Sequence, residues 1–284
     1  RLRARHVDLW FTHADLGSLY MGHGSTAADA ASLFSLSGTS IVFASHGADD
    51  GIRLNTSGSA APAQTAPWPN AIFPGLYYAP TTALRQNRIM YVSPHIAGFN
   101  LRLSHAETGI LDAALRYTGN PLGIKRVRVS GSFGYIYTPG AGVPALVDSR
   151  AWLKTSTLAA SLGVLHLPTG FNINGAWAIT SPSGTNRSGQ INQSFWYVEG
   201  GWQGRVWPTG KTYVSVGGGV WNGSLALTAN NNDVHAWRIN AAIVQAIDAA
   251  ATDIYMGYGL YDGKVRGAGL NAGHVIVMGA RIKF

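Results

Sequence analysis

The sequence predicts an all-β protein that crosses a membrane as an antiparallel barrel, and three observations lead to this fold class. Apolar residues alternate with more polar ones along much of the chain, as in strands whose successive side chains point to opposite faces. The alternating segments run for about ten residues, which suits a tilted strand crossing the hydrocarbon layer. Aromatic residues such as Tyr135, Trp177, Trp196 and Trp221 lie near predicted strand ends, as at a membrane–water interface.

The composition separates this chain from ordinary soluble domains. Charged residues make up 12% of the 284 residues, about half the share of an ordinary soluble domain. Much of the polarity comes instead from the 36 glycines and from Ser, Thr and Asn. Aromatic residues at 11% argue against disorder. The absence of cysteine excludes disulfides, thiolate nucleophiles and cysteine-based zinc sites, and no stretch of about 20 apolar residues predicts a transmembrane helix.

Thirteen strands are predicted, with turn-forming residues such as Asn120 and Gly263 between them. They are placed at residues 3–13, 17–25, 86–93, 98–106, 110–118, 125–137, 150–161, 170–180, 194–206, 211–222, 234–246, 252–261 and 273–284. Helical spacing competes only at residues 27–34 and 241–251. The prediction is therefore a chain of strands joined mostly by turns and loops.

A soluble β-sandwich would alternate in the same way, but it would not tolerate isolated Arg and Lys side chains in its core. In a barrel the same side chains face water, and closure satisfies every backbone group within the lipid. Short and long connections alternate, so the last strand ends on the short-turn side and the first strand begins on the opposite side. Because bacterial barrels have an even strand number, we expect an odd number of strands ahead of Arg1, most simply three, which gives sixteen.

Three features occur in a characteristic order. Residues 5–23 form two alternating strands around a tight turn of Asp, Leu, Gly and Ser, and a long irregular stretch follows. Residues 87–99 contain Asn, Tyr, Ser-Pro and Gly-Phe, and the chain ends in Phe284 behind alternating apolar residues. Over the whole chain this order resembles the Gram-negative trimeric general-diffusion porins. The resemblance implies a single barrel domain over residues 1–284 in the bacterial outer membrane, a homotrimer, and contacts with membrane lipid and lipopolysaccharide.

The irregular stretch at 26–85 predicts a narrowing of the channel. A sixteen-stranded barrel encloses an aqueous lumen, and a segment of about 60 residues without strand pattern is unusual in a compact domain. The porin family places a loop that folds into the barrel here. The apolar patches at 67–69 and 73–78 would pack such a loop against the inner wall. The alternative is a loop on the surface.

The alternation places most basic residues on the water-facing side of the strands, and this predicts passive diffusion of small hydrophilic solutes with a weak preference for anions. The candidate pore-lining residues are Arg88, Arg102, Arg116, Arg126, Arg128, Asp112 and Glu199, and Lys154, Arg238, Arg281 and Lys283 are assigned to the same side. Arg5 joins this set because the resemblance places a constriction arginine there.

Two acidic residues of the irregular stretch are further candidates for the pore lining. Asp49 and Asp50 either face Arg5 and Arg88 across the narrowing, which would produce a transverse field, or form a simple turn. Two carboxylates are too few to predict a calcium site. No metal site is therefore predicted.

Other classes of function have less support. The nine histidines are scattered, and Gly217, Gly218 and Gly219 lie within a predicted strand, where glycines serve packing, so neither an enzyme nor a cofactor is predicted. The arginines are interleaved with apolar residues, which argues against nucleic acid. A substrate-specific channel for a sugar or phosphate is the main alternative. Its aromatic track would consist of Phe195, Tyr197, Tyr213 and Tyr255. A barrel with a plugged lumen is a third interpretation.

Overall fold

The structure is a computed structural model that describes residues 6–43, 45, 85–139, 154–183, 193–224, 233–265, 268–269 and 271–284. It contains a single antiparallel sheet in which consecutive strands pair in chain order. The strands are β1 Val7–His13, β2 Gly17–Ser25, β3 Arg85–Val92, β4 Phe99–Ala106, β5 Leu111–Gly119, β6 Val127–Thr138, β7 Lys154–His166, β8 Phe171–Ser183, β9 Gln193–Trp207, β10 Gly210–Ser224, β11 Asp233–Ile247, β12 Thr252–Val265, β13 Ala268–Gly269 and β14 Gly273–Ile282.

The all-β prediction is confirmed, and each predicted strand overlaps an observed one. The two-residue β13 only extends the pairing at the end of β12, and the full-length partner of β12 is β14. The strand is confirmed over most of the stretch where helical spacing competes, 241–251, because β11 pairs with β10 as far as Gln245 and with β12 as far as Ile247, and only Asp248–Ala250 form a short 3-10 helix. β7 lies later than predicted, since Leu162 to Leu165 continue the alternation of exposed and buried side chains.

Short connections lie at one end of the sheet, which we call the turn end. The turn between β1 and β2 depends on Gly17, which has φ 86 and at which a Cβ would collide with the carbonyl oxygen of Val92. Glycine is therefore the residue that fits both the backbone conformation and the space. Among the described strands, β1 pairs only with β2 and β14 only with β12.

Exposure alternates along the strands and defines two faces of the sheet. In β4, Leu101 and Leu103 are exposed, whereas Asn100 and Ser104 are buried. We call the face that residues 26–43 contact the inner face, and the opposite one the outer face. Large exposed side chains of the outer face include Leu101, Leu103, Leu115, Phe133, Leu162, Ile173, Val198, Val216, Ile239, Met256 and Met278. An apolar surface of this extent is stable in contact with lipid.

Aromatic pairs lie on the outer face toward both ends of the strands. Trp177 and Trp196 have ring centroids 5.7 Å apart, with Trp196 near the end of β9 opposite the turns and Trp177 at the middle of β8. Phe99 and Tyr117 are 4.6 Å apart near the turn end. These positions fit the two aromatic belts of a membrane-spanning sheet. In the described part of the chain, no helix has the length and apolar character needed to span a membrane.

The prediction is wrong for Trp221, which lies on the inner face instead. Its ring stacks on Phe195, with centroids 6.0 Å apart, and it is buried. The inner-face neighbours of Trp221 along β10 include Gly217 and Gly219, which carry no side chain to mark a face as polar. The alternation of this strand therefore gave no clear face for the tryptophan.

Candidate functional site

Residues 26–43, which we call the inner segment, lie across the inner face of the sheet. Ala27, Ala28, Ser32, Ser37 and Thr39 are almost completely buried. The contacts of the segment run from β4 at its start to β12 at its end. Residues 46–84 of the predicted loop, including Asp49 and Asp50, are outside the described residues, and so is Arg5.

The start of the inner segment is held by polar side chains of β4 and β5. The backbone N–H of Ala28 donates to Asp112 Oδ2 at 2.9 Å, and that of Ala27 donates to Ser104 Oγ at 3.1 Å. Arg116 Nη2 donates to the carbonyl oxygen of Asp29 at 2.6 Å. These backbone groups of the segment have no partner in a strand ladder. Side chains of the inner face therefore supply the hydrogen bonds that buried backbone requires.

The middle of the segment is held by β7 and β8 in the same manner. Ser161 Oγ accepts a bond from the N–H of Phe34 at 3.1 Å and donates to the carbonyl oxygen of Ala31 at 2.7 Å. The N–H of Leu36 donates to Asn174 Oδ1 at 2.6 Å. Small polar residues of the inner face thus follow the backbone of the segment from strand to strand.

The far half of the segment contacts β9 to β12. Both oxygens of the buried Glu199 accept segment hydroxyls, Oε2 from Ser35 at 3.0 Å and Oε1 from Thr39 at 3.1 Å. Phe43 packs with Val244 of β11 in an apolar cluster and lies over a glycine of β12. A Cβ at that glycine, Gly257, would lie 2.6 Å from Phe43 Cε2. The inner face therefore offers both hydrogen bonds and room to the segment.

Replacing Gly257 by valine is expected to lower the free energy of unfolding by about 1–3 kcal/mol, because the larger side chain overpacks the site of Phe43. The urea midpoint of the folded protein in detergent or lipid measures this loss. Gly200→Val is the matched control, since a Cβ at Gly200 meets nothing within 4 Å. Because Val42 also lies against Gly257, equal midpoints for the two variants would contradict the packing of Val42 and Phe43 on β12.

The predicted basic residues occupy three different environments on the inner face. Arg88 is buried and forms an ion pair with Asp8 at 2.6 Å. Arg102 and Arg116 are half-buried, and Arg102 Nε donates to Asn100 Oδ1 at 3.2 Å. Arg126 and Arg128 are exposed at the turn end. Arg102 and Arg116 are therefore inner-face arginines that remain partly exposed, and Arg116 also contacts the inner segment.

The two predicted acidic residues of the strands are buried beneath the inner segment. Asp112 accepts a bond from the backbone of Ala28, and Glu199 accepts bonds from Ser35 and Thr39. Both carboxylates are buried and accept these bonds, so they interact with groups of the protein itself. They are part of the wall that holds the segment.

The remaining basic residues differ in placement. Arg281 and Lys283 lie at the turn end and both pair with Asp253, at 2.7 Å and 2.6 Å. Arg238 is buried on the inner face of β11. The assignment of Lys154 to the inner face is wrong, because it alternates with the buried Thr155 and shares the exposed face of Leu158. The nearest described residue on the same face, Ser156, is small and polar, so the pattern around Lys154 did not distinguish the two faces.

Sequence reasoning missed several residues that hold the site together. The alternation pattern places four of them at inner-face positions, and this was the only signal available in the sequence. They are Asp8, Asp253, Ser161 and Asn174. Their partners lie up to 138 residues away in the chain, so the pattern could not indicate them. In the described ranges, no three His, Asp or Glu side chains lie close enough to hold a metal ion.

Comparison with known proteins gives the following matches. Residues 2–266 match the family model described as Gram-negative porin. Among solved structures, the anion-selective porin from Comamonas acidovorans is 15% identical, with a TM-score of 0.52 over 94% of this chain and 71% of that chain. The outer-membrane expressed OmpT of Vibrio cholerae is 12% identical, with a TM-score of 0.52 over 94% and 76%.

A structure of Vibrio cholerae OmpT in trimer form is 12% identical, with a TM-score of 0.51 over 94% of this chain and 75% of that chain. At these identities the solved structures show a common fold alone. No curated protein sequence matches the chain significantly. The family model nevertheless spans most of the residues and agrees with the sheet and its apolar outer face, so the chain belongs to the Gram-negative porin family, the β-barrel channels of the bacterial outer membrane.

Proposed function

We propose that this porin is a passive diffusion channel for small hydrophilic solutes and ions, with a weak preference for anions, and that it is not an enzyme. The observation that carries the proposal is the unequal exposure of the inner-face charges. Arg102 and Arg116 are partly exposed, whereas Asp112 and Glu199 are buried under the inner segment. A passing ion therefore meets more positive than negative charge, and a basic lining favours anions.

The ion pairs of the inner face also support a net positive charge along the channel. Asp8 is paired with Arg88, so neither contributes a free charge to the channel. Asp253 is buried and faces two cations, Arg281 and Lys283, which leaves a net positive charge at the turn end. With Arg126 and Arg128 exposed nearby, the turn-end mouth is also basic.

We propose that the loop at 26–85 folds into the lumen and that its inner segment is part of the narrowest point. The burial of much of the inner segment and its bonds to β4, β5, β7, β8 and β9 support this assignment. A segment attached to the wall at so many points would reduce the open cross-section without blocking it entirely. The whole chain then forms a single porin-type domain.

General diffusion is favoured over the substrate-specific alternative. An aromatic track for sugars requires exposed rings, and Phe195 and Tyr197 are buried. Tyr213 and Tyr255 are half-buried and pack on the apolar cluster around Phe43. The trimer form of a structurally similar protein supports a homotrimer, and exposed basic residues near the strand ends would suit contacts with lipopolysaccharide.

Charge reversal at Arg102 tests the proposal. Arg102→Glu is expected to lower the anion-to-cation permeability ratio by at least about fivefold, since the variant changes the charge by two units and one unit changes the energy of a nearby ion in water by about 1 kcal/mol. The reversal potential in a salt gradient across a planar bilayer measures the ratio. The control is Lys154→Glu, the same charge change on the outer face.

A cation preference of the unaltered protein, or equal shifts in the two variants, would contradict the basic lining. Saturable block of the current by one sugar or by phosphate would instead support the substrate-specific channel. No conductance from folded protein would support the plugged barrel. Each outcome therefore separates one interpretation from the others.

A further inference from the structure

We propose that Arg238 is a positioning residue that, together with Glu199, holds the far half of the inner segment against the wall and does not select solutes. The inference rests on the proposed role of the segment as the narrowing of the channel. It assigns a separate task to two charged residues that the alternation placed in the solute path. Their contacts are the basis for this division.

Arg238 lies within a group of four aromatic rings. Its Cζ atom is 5.2 Å from the ring centroid of Tyr197, 5.4 Å from that of Trp221, and 5.9 Å from those of Phe43 and Tyr261. Three of these rings belong to β9, β10 and β12, and the fourth belongs to the inner segment. A guanidinium is attracted to aromatic faces, and the attraction grows when water is excluded.

Because Arg238 is buried, its charge interacts with the protein and not with the water of the channel. The residue is 1% exposed, although it lies in the middle of β11 on the face where other arginines meet water. A solute in the channel therefore has little access to this guanidinium. It lies within 5.9 Å of four surrounding rings, including the one that the inner segment contributes.

Glycines of the inner face make the room that this arrangement requires. A Cβ at Gly217 would lie 2.6 Å from the hydroxyl oxygen of Tyr197, and one at Gly219 would lie 2.7 Å from Trp221 Cη2. At Gly259 it would lie 2.8 Å from Tyr261 Cε2 and 3.3 Å from Phe43 Cζ. The rings thus occupy space that side chains at these strand positions would fill, and Phe43 lies within 5.9 Å of the guanidinium.

Glu199 ties the same part of the segment at a second point. Each of its carboxylate oxygens accepts a hydroxyl hydrogen bond from the segment, from Ser35 and from Thr39. Thr39 Oγ1 is also 2.7 Å from Ser215 Oγ of β10. The acid therefore holds residues 35–39 and the arginine holds residue 43, so the two charges fix the far half at both ends.

The experiment compares Arg238→Met with Arg128→Met in the full-length protein, because both variants remove one inner-face arginine charge. Arg238→Met is expected to raise the single-channel conductance and the size of the largest neutral sugar that enters liposomes. The anion-to-cation permeability ratio is expected to stay unchanged. Arg128→Met is expected to lower that ratio without raising the conductance or the sugar size limit. Arg238→Lys, which keeps a cation among the rings, should lie closer to the unaltered protein.

A second variant, Phe43→Ala, tests the same contact in case Arg238→Met does not fold. Phe43 lies outside the strands, so Phe43→Ala changes no strand residue, and it is expected to raise conductance and the sugar size limit as Arg238→Met does. The proposal is overturned if Phe43→Ala behaves as the unaltered protein, or if Arg238→Met lowers the anion-to-cation ratio at unchanged conductance. Heat-dependent mobility on gels verifies that each variant is folded.

The failure of this inference can be told apart from the failure of the proposed function. If the folded protein conducts no ions, the channel function is wrong, but the rate of protease cleavage within the inner segment still reports on its attachment. About tenfold faster cleavage in Phe43→Ala than in the unaltered protein would support the anchor, because loss of such a contact raises the open population by that order. Equal cleavage rates would overturn it.

Discussion

Replacing Val216 by arginine is expected to destabilise the folded protein in a lipid bilayer by about 2–4 kcal/mol. Val216 lies near the middle of β10 on the outer face and is 62% exposed. Its neighbours across the two ladders are Gly200 and Ala241, which offer no partner for a charge. The cost arises because a guanidinium at mid-membrane leaves water for hydrocarbon.

The free energy of unfolding in urea, measured in lipid vesicles, tests this expectation. Ile282→Arg is the matched control because Ile282 is also an exposed residue of the outer face but ends β14. An arginine near the interface is expected to cost only about 0–1 kcal/mol. If the two variants lose equal stability, the outer face of β10 does not lie in the centre of the membrane.

Breaking the ion pair of Arg88 is the second change with a large expected effect. Arg88→Met is expected to lower the free energy of unfolding by about 3–5 kcal/mol, because the buried carboxylate of Asp8 loses its partner. The side chains of Arg88 and Asp8 are only 2% and 13% exposed. Arg88 also donates to the carbonyl oxygens of Ser25 and Gly22, so the variant loosens β2 as well.

A double variant and an exposed pair provide the controls for Arg88. Adding Asp8→Leu to Arg88→Met is expected to restore much of the stability, since no buried charge is then left alone. Arg205→Met breaks the pair of Arg205 and Asp248, whose side chains are both 59% exposed, and should cost about 0–1 kcal/mol. A loss for Arg88→Met as small as that for Arg205→Met would show that its pair is solvated.

The alternation of the sequence was sufficient for the strands because their apolar face meets lipid along its whole length. In β4 and β7 most of the exposed residues are apolar, and most of the buried ones are small or polar. The pattern and the structure therefore agree there. It was insufficient where side chains were too small to mark a face, as around Trp221. It was also insufficient around Lys154, where the neighbouring Thr155 and Ser156 are both small and polar.

The site was predictable only in part. The pattern placed Arg102, Arg116, Asp112 and Glu199 on the inner face, where the structure has them. It could not distinguish side chains that meet water from those that the inner segment covers, because that depends on how a segment without periodicity crosses the sheet. The burial of Glu199 and Arg238 is the result of such long-range contacts.

The attachment of the inner segment has a consequence for the order in which the protein folds. Each strand pairs mostly with its neighbour in the chain, whereas the bonds between the segment and the sheet join residues 77 to 176 positions apart. Contacts between distant residues form late, since the closure of long loops costs entropy. We therefore expect the hairpins to assemble first and the segment to dock last, after the receptor strands β4 to β12 are aligned.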